Sequence, residues 1–262
     1  MVGSIMSHTR IKPVTIAVLL AAGMGSRLGS LTCDAPKCLT EINGQPFIER
    51  LVHALRRNGI KRLIVVVGYL DECVRDYLDG MRDEMQIEFV ANPKFRTTNN
   101  IYSLWLVREI VQEPFMLVEC DLVFEPELLG AMTRPDRIAV SERLPWMNGS
   151  LVTIDSLHQV TALHVGGDLS AWRTAFKTVN IYSFSLSTWG RVSERLERHV
   201  EAGRKGGYYE TVIAELIAEG GISLEAVFFD EQRWYEVDTL EDLREAELLF
   251  PVAQDNSLPV FA

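Results

Sequence analysis

Two glycines and two cations near the start of the chain have the makings of a polyphosphate site. In Val18-Leu19-Leu20-Ala21-Ala22-Gly23-Met24-Gly25-Ser26-Arg27-Leu28 an apolar run breaks into glycines, and Lys37 follows in Ala35-Pro36-Lys37-Cys38-Leu39. Such a break reads as a buried strand turning sharply into a loop. Gly23 and Gly25 can take positive φ and let another group approach the backbone. Bare N–H groups in that loop would make a cavity for anions, and Arg27 and Lys37 place two cations beside it. No lysine stands in the Walker A register, and Leu28 occupies the third glycine position of a dinucleotide fingerprint, so neither of those loops fits.

Carboxylates supply the second kind of chemistry. Asp121 follows the apolar strand at 115–119, and Asp238 follows a short strand at 235–237. Ligands of open α/β sheets gather at the carboxyl ends of strands, where a carboxylate can hold Mg²⁺ together with water and substrate phosphates. Taken alone, each Asp reads equally as a turn or cap residue, Asp238 beside Thr239 most of all. Lys177 enters the strand at 178–184 and offers a compact cation for an acceptor phosphate; the plainer reading is a solvated strand-edge lysine. Asn99 and Asn100 precede a helical segment, where asparagine reads first as an N-cap, although an amide also suits a base edge. Trp146, Trp172, Tyr208 and Tyr209 could wall a quaternary ammonium through cation–π attraction, with Glu210 pairing an amine. The alternative is that these aromatics are core and Glu210 opens a helix.

Positioning such residues requires an alternating fold. Apolar runs predict strands at 16–21, 63–67, 87–90 and 115–119, and helical periodicity predicts helices at 45–57, 71–78 and 100–111. This βαβ order implies a parallel sheet with right-handed crossovers. After about residue 135 the pattern changes to short strands at 137–141, 151–154, 159–163, 178–184, 227–229 and 235–237, with helices at 187–199 and 208–218. Thr239 with Asp242 resembles a capping box that opens a last helix through Leu249. No Pro-, Gly- or Ser-rich linker divides the halves. Residues 14–250 are therefore taken as one domain, with a nucleotide part at 14–135 and an acceptor part at 136–250. Residues 1–13 are read as a disordered leader and 251–262 as a tail.

Composition narrows the classes. The chain has 262 residues, 47% of them hydrophobic, and a net charge of −10. That charge argues against nonspecific nucleic-acid binding, and an acidic protein must hold polyphosphate with a few focused cations and a divalent metal. No run approaches the length of a membrane span. Cys33, Cys38, Cys73 and Cys120 lack metal-ligand spacing and read as free thiols of a cytoplasmic protein.

The segment Leu20-Ala21-Ala22-Gly23-x-Gly25-x-Arg27-Leu28 with Pro36-Lys37-x-Leu39 resembles the signature of the nucleotidyltransferases that make nucleoside-diphosphate sugars and alcohols. Asn99-Asn100-Ile101-Tyr102-Ser103-Leu104, the stretch from Trp146 to Val152, the stretch from Lys177 to Tyr182, and Tyr208-Tyr209-Glu210 are similar to the branch that activates phosphocholine or small phosphonates with CTP. The resemblance covers about residues 14–250. It implies a Rossmann-like, mostly parallel mixed sheet flanked by helices, of the nucleotide-diphospho-sugar transferase type. It implies CTP held by Leu20, Ala21, Ala22, Gly23, Gly25, Ser26, Asn99 and Cys120, with Mg²⁺ on Asp121 and Asp238. Arg27, Lys37 and Lys177 are then catalytic, and Trp146, Lys177, Tyr209 and Glu210 face the acceptor. CMP would pass to a phosphonate or phosphate-ester acceptor as pyrophosphate leaves. One departure stands out: Asn148-Gly149-Ser150 occupies the place where Asp-Gly-Thr is expected. A sugar-1-phosphate nucleotidyltransferase using UTP or dTTP is the alternative, and a non-catalytic nucleotide-binding module is a remote one. The last helix and the apolar tail are compatible with a homodimer.

Overall fold

The computed structural model describes residues 12–82, 85–144, 147–166, 172, 174–229 and 234–251. In chain order the elements are β1 (Ile16–Ala21), β2 (Glu41–Ile42), β3 (Gln45–Pro46), α1 (Phe47–Arg57), β4 (Arg62–Val67), α2 (Asp71–Asp79), β5 (Gln86–Ala91), α3 (Asn100–Leu106), β6 (Phe115–Glu119) and β7 (Leu122–Phe124). There follow α4 (Leu129–Met132), β8 (Arg137–Ser141), β9 (Leu151–Ile154), β10 (Val160–His164), β11 (Phe176–Phe184), α5 (Leu186–Glu201), α6 (Tyr209–Ala218), β12 (Glu225–Phe228), β13 (Trp234–Glu236) and α7 (Leu240–Leu249). Nine of the strands form one sheet in the order β10-β9-β11-β6-β1-β4-β5, with β8 joining β11 to β12. Strands β6, β1, β4 and β5 are mutually parallel, whereas β11 runs antiparallel to β6 and carries the sheet into the second half.

Every residue of β1 is buried because helices cover both faces. Ile16, Val18 and Leu20 pack towards α3, α5 and α6, while Ala17, Leu19 and Ala21 pack towards α1 and α2. This period-two alternation sends Leu20 and Ala22 to one side of the sheet and Ala21 to the other. A third, smaller core joins Leu28, Phe47, Val123, Tyr235, Val237 and Ala246. It ties the loop after β1 to the antiparallel pair β7–β13 and to α7, and so fixes segments far apart in sequence beneath one site.

Several boundaries differ from the sequence expectation. The first helix starts at Phe47 and not at residue 45, because Gln45–Pro46 pairs with Glu41–Ile42 and Pro46 stands at the N-cap. The helix from Asn100 stops at Leu106, and residues 107–110 continue as turns. Strand β11 begins at Phe176, so Lys177 lies inside a buried strand and not at an exposed edge. β7 is only three residues long, too short to show a period. Thr239 and Asp242 do form a capping box at α7, so Asp238 is not the helix cap. Among the described residues no helix is long and apolar enough to cross a membrane.

Candidate active site

The loop after β1 turns at Gly25, whose φ of 61° lies in the left-handed region. A β-carbon there would sit 2.8 Å from Cβ of Lys37. Glycine therefore meets both the backbone and the packing demand. Ser26–Thr32 then runs in 3-10 turns, and Lys37 opens a second 3-10 turn after Pro36. Thr32 Oγ1 donates to the Gly25 carbonyl at 3.1 Å and pins the loop.

Lys37 is the hub. Its Nζ donates to Asp121 Oδ2 at 2.8 Å and to Asp238 Oδ1 at 2.7 Å. Arg27 Nη1 reaches Asp238 Oδ2 at 2.8 Å from a side chain that is 64% exposed. The Lys37, Asp121 and Asp238 side chains are only 11–13% exposed. Burial alone would strip the charge from Lys37, but the two carboxylates outweigh it and hold the ammonium well above the ordinary lysine value. Asp121 Oδ1 is buried and has no hydrogen-bond partner among the described residues. Such an atom is costly to bury unless a ligand completes it.

These groups open on a cavity of about 280 Å³ lined by Leu20, Ala22, Gly23, Gly25, Ser26 and Arg27 on one side and by Asn99, Glu119, Cys120, Asp121, Tyr208 and Asp238 on others. Of the residues assigned to the nucleotide, Ala21 does not line it, since the strand alternation turns it into the opposite core. Asn99 lines the cavity and also caps α3, its side chain accepting from the Asn100 N–H. Asn92, Phe95, Thr98 and Ser103 complete the far wall. The buried Asn92 amide donates to Thr98 Oγ1 and Ser103 Oγ at 3.2 and 3.1 Å, so that wall is polar and held in place. No periodicity marks these four, and the chain brings them together only by folding.

A second cavity of about 120 Å³ adjoins the first, sharing Arg27 and Asp238, and is lined also by Met147, Asn148, Lys177 and Glu236. Lys177 is 2% exposed; its Nζ pairs with Glu236 Oε2 at 3.0 Å and donates to the Thr178 carbonyl at 2.6 Å. A β-carbon on Gly149 would lie 3.2 Å from that ammonium, so the Asn148-Gly149-Ser150 segment passes directly over Lys177. The strand pairing between β11 and β8 slips between Thr178 and Tyr182, and Asn180 sits in that irregularity with φ of 58°. Asparagine tolerates this conformation, and its amide donates to Glu236 Oε1 at 3.2 Å. Bulges often re-aim a side chain beside a site in this way.

Behind Lys177, Asn100 Nδ2 donates to Glu119 Oε1 at 3.1 Å and to Glu210 Oε2 at 3.4 Å. Sequence reasoning missed Glu119 and Glu236, although each stands two residues before a selected aspartate. Tyr209 does not wall the acceptor pocket as expected. It is fully buried and meets Tyr182 edge to face at 5.7 Å, while its neighbour Tyr208 lines the first cavity. The first turn of α6 points Tyr209 into the core. Trp172 stacks on His164 at 3.7 Å and lines neither cavity. Trp146 lies outside the described residues.

Glu210 is pushed up to about 7, chiefly by burial, against its backbone bond and the pull of Asn100 and Lys177. A carboxyl raised from 4.5 contributes its full stability below about pH 4.5 and loses it as the pH rises to 7. Glu210→Gln therefore flattens the fall in stability across that window and leaves the variant more stable than wild type at pH 8, by about 3 kcal/mol at most. The flattening is incomplete, because Glu119 and Glu236 are raised in the same cluster. Chemical denaturation from pH 4.5 to 8 checks this, and parallel curves for the two proteins would contradict it.

Residues 17–143 match the MobA-like NTP transferase domain family. The CMP-5'-(3-aminopropyl)phosphonate synthase of Streptomyces rubellomurinus is 34% identical over 251 residues, covering 89% of this chain and 38% of that protein. This chain thus spans well under half the length of that relative. A choline-phosphate cytidylyltransferase of Streptococcus pneumoniae is 26% identical over 237 residues, covering 88% of this chain and 96% of that one. The solved structure of the CTP:phosphocholine cytidylyltransferase of Streptococcus pneumoniae shares the fold, with a TM-score of 0.76 at 24% identity over 90% of this chain and 99% of that chain.

Proposed function

We propose that this chain, which is similar over residues 17–143 to the MobA-like NTP transferase domain, is a nucleotidyltransferase that transfers CMP from CTP to a small phosphonate or phosphocholine-like acceptor and releases pyrophosphate. One observation carries the reading: a single ammonium, Lys37, bridges two carboxylates from separate strand ends at the mouth of a glycine loop. The relatives are named for CMP-phosphonate synthesis and for choline-phosphate cytidylyl transfer, and each of those acceptors joins an anionic head to a cationic end.

In this reading the loop from Leu20 to Arg27 receives the triphosphate, and Arg27 leaves Asp238 to neutralise it. Lys177 orients an acceptor oxygen, with Gly149 leaving room above the ammonium. That oxygen attacks the α-phosphorus in line; one P–O bond forms as the bond to the β-phosphate breaks, and pyrophosphate departs with the electron pair. The acceptor is already an anion at neutral pH, so no general base is required. Lys37 stabilises the charge that develops on the α-phosphoryl oxygens, and positioning plus electrostatics supply the catalysis. Glu236 lines the second cavity and suits the acceptor's cationic end, whereas Glu210, assigned to the acceptor from the sequence, lines neither cavity.

Asp121 and Asp238 would hold Mg²⁺. The unpartnered, buried Asp121 Oδ1 and an all-oxygen donor pair fit that ion, which ordinarily takes one or two carboxylates and completes its shell with phosphates and water. When bound, it supplies charge neutralisation and a template for the phosphates. Among the described residues no group of three or more His, Cys, Asp or Glu could hold a metal, so phosphate oxygens and water would have to complete the shell around these two carboxylates. The soluble setting of the reaction is taken as the cytoplasm, with free cysteines in keeping.

Pyrophosphate release with Mg²⁺ and CTP, measured against phosphocholine, 2-aminoethylphosphonate, 3-aminopropylphosphonate and glucose-1-phosphate, tests the proposal. Turnover is expected with one of the cationic acceptors and with CTP in preference to UTP or dTTP. Turnover confined to glucose-1-phosphate, or to another nucleotide, would overturn the substrate assignment.

A further inference from the structure

Strand β11 changes partners beside the second cavity. Lys177 pairs with Leu151 of β9, whereas Ile181 pairs with Val118 of β6. Against β8, Thr178 faces Val140 and Tyr182 faces Ile138, so β11 carries two extra residues between them. Asn180 stands in that slip, 8% exposed, with φ of 58°. It lines neither cavity. A left-handed backbone at a residue other than glycine is costly and persists where its surroundings demand it, and asparagine is one of the few side chains that tolerate it.

The Asn180 amide is held at both ends. A carboxylate only accepts, so the amide nitrogen is the end that meets Glu236 Oε1, at 3.2 Å. The amide oxygen accepts from Thr178 Oγ1 at 3.1 Å. That hydroxyl also lies 3.1 Å from the Ser150 carbonyl, but the Thr178 N–H already donates to Ser150 at the same 3.1 Å. The hydroxyl proton is therefore left for Asn180.

Glu236 in turn is divided between two donors. Oε1 accepts from Asn180, and Oε2 meets the Lys177 ammonium at 3.0 Å. Lys177 directs a second N–H to the Thr178 carbonyl at 2.6 Å. An ammonium has three N–H groups, so among the described residues one remains. Lys177 and Glu236 both line the second cavity, and Gly149 crosses above the ammonium without a side chain.

We propose that Asn180 is a positioning residue for the acceptor. By holding Oε1 it keeps Glu236 from closing both oxygens on Lys177, and so leaves the last Lys177 N–H for an acceptor oxygen. This role rests on the second cavity being the acceptor pocket, as read above, and on no particular head group. Without the amide, the carboxylate swings onto the ammonium and the acceptor must displace it. Such competition weakens acceptor binding equally in the ground state and the transition state, so it raises the acceptor KM and spares kcat.

Pyrophosphate release by the full chain with Mg²⁺ and CTP is the assay. The acceptor is whichever of phosphocholine, 2-aminoethylphosphonate, 3-aminopropylphosphonate and glucose-1-phosphate turns over fastest. Asn180→Gly keeps the positive φ and removes the amide. Its acceptor KM is expected to rise about tenfold, the scale of one hydrogen bond to a charged group. Its kcat and its KM for CTP are expected to change less than about twofold. Asn180→Asp keeps the shape but sets a second carboxylate against Glu236, and a larger rise is expected. Thr178→Val removes a hydroxyl that bonds to neither Glu236 nor Lys177, loosens the amide, and is expected to raise the acceptor KM about threefold. A residue that served only the backbone bend would be replaced by glycine without effect, so a wild-type acceptor KM in Asn180→Gly overturns the proposal. A rise matched by an equal change in kcat or in the KM for CTP overturns it too. Should Asn180→Gly fail to fold, Thr178→Val carries the same test, and a wild-type acceptor KM there is the contrary result. Wild-type protein that turns over none of the four acceptors would overturn the functional reading and this role with it, whereas turnover of glucose-1-phosphate alone would overturn the acceptor class and leave the Asn180 test in force.

Discussion

Lys37→Ala is expected to lower kcat by about 10²–10³-fold, the usual cost of removing one preorganised contact to developing charge. The reason is geometric. The ammonium sits 2.8 Å from Asp121 and 2.7 Å from Asp238, on a buried side chain anchored behind Gly25. No solvent cation can be held in that place with the same orientation. The pKa of Lys37 lies above the ordinary range, so its charge persists throughout the working pH range and adds no limb to a pH–rate profile. The same variant should be less stable. The two carboxylate oxygens on Nζ are at most 5.5 Å apart, the sum of those two bonds. Deleting their shared partner leaves two nearly buried anions facing each other. Breaking a buried ion pair costs about 3–5 kcal/mol, and the contact that Arg27 keeps with Asp238 places this loss towards the lower end. Mg²⁺ should therefore raise the melting temperature of Lys37→Ala more than that of wild type. Steady-state kinetics and thermal melts with and without Mg²⁺ measure both effects. Wild-type turnover in Lys37→Ala would remove Lys37 from the reaction.

Asp121→Asn separates charge from shape. The amide keeps the size of the side chain and still offers an oxygen to Lys37, so the fold should hold. Its charge is gone, and with it the hard anionic oxygen that suits Mg²⁺. A fall in kcat of about 10²–10³-fold is expected, together with a higher Mg²⁺ concentration for half-maximal rate. The neighbouring Glu119 is pushed up first by burial and then by the Asp121 charge, so the variant should ionise Glu119 at lower pH. Single-turnover transfer over a Mg²⁺ titration reads the main effect, and an unchanged Mg²⁺ dependence would show that Asp121 is not a ligand.

Much of the framework was legible because it rests on local pattern. β1 and β6 coincide with the apolar runs that predicted them, since a strand covered on both faces is apolar nearly throughout, and β8 and β9 coincide with the short strands expected after residue 135. The capping box at Thr239 was visible because its chemistry spans only three residues. Gly23, Gly25, Arg27 and Lys37 stood out because glycine and cation types are constrained wherever a loop must admit an anion. Asp121 and Asp238 were recognisable only through resemblance, since either reads alone as a turn residue.

Other features had no local signature. β7 and β13 are three residues each, and their pairing places Asp121 and Asp238 on one ammonium. Glu119, Glu236 and Asn180 were missed because their roles depend on burial and on a slip in strand register, which spacing does not report. Of the two tyrosines expected in one aromatic wall, only Tyr208 lines a cavity, because it stands at the extended N-cap of α6 while Tyr209 opens the first turn and enters the core. Sequence by itself thus determined the alternating α/β framework, the phosphate-type loop and the chemical types gathered near it, since those follow from periodicity and backbone freedom. Tertiary structure alone decided which carboxylates meet Lys37, how deeply Lys177 is buried and which aromatic lines the site, because those depend on contacts between segments as many as 201 positions apart in the chain.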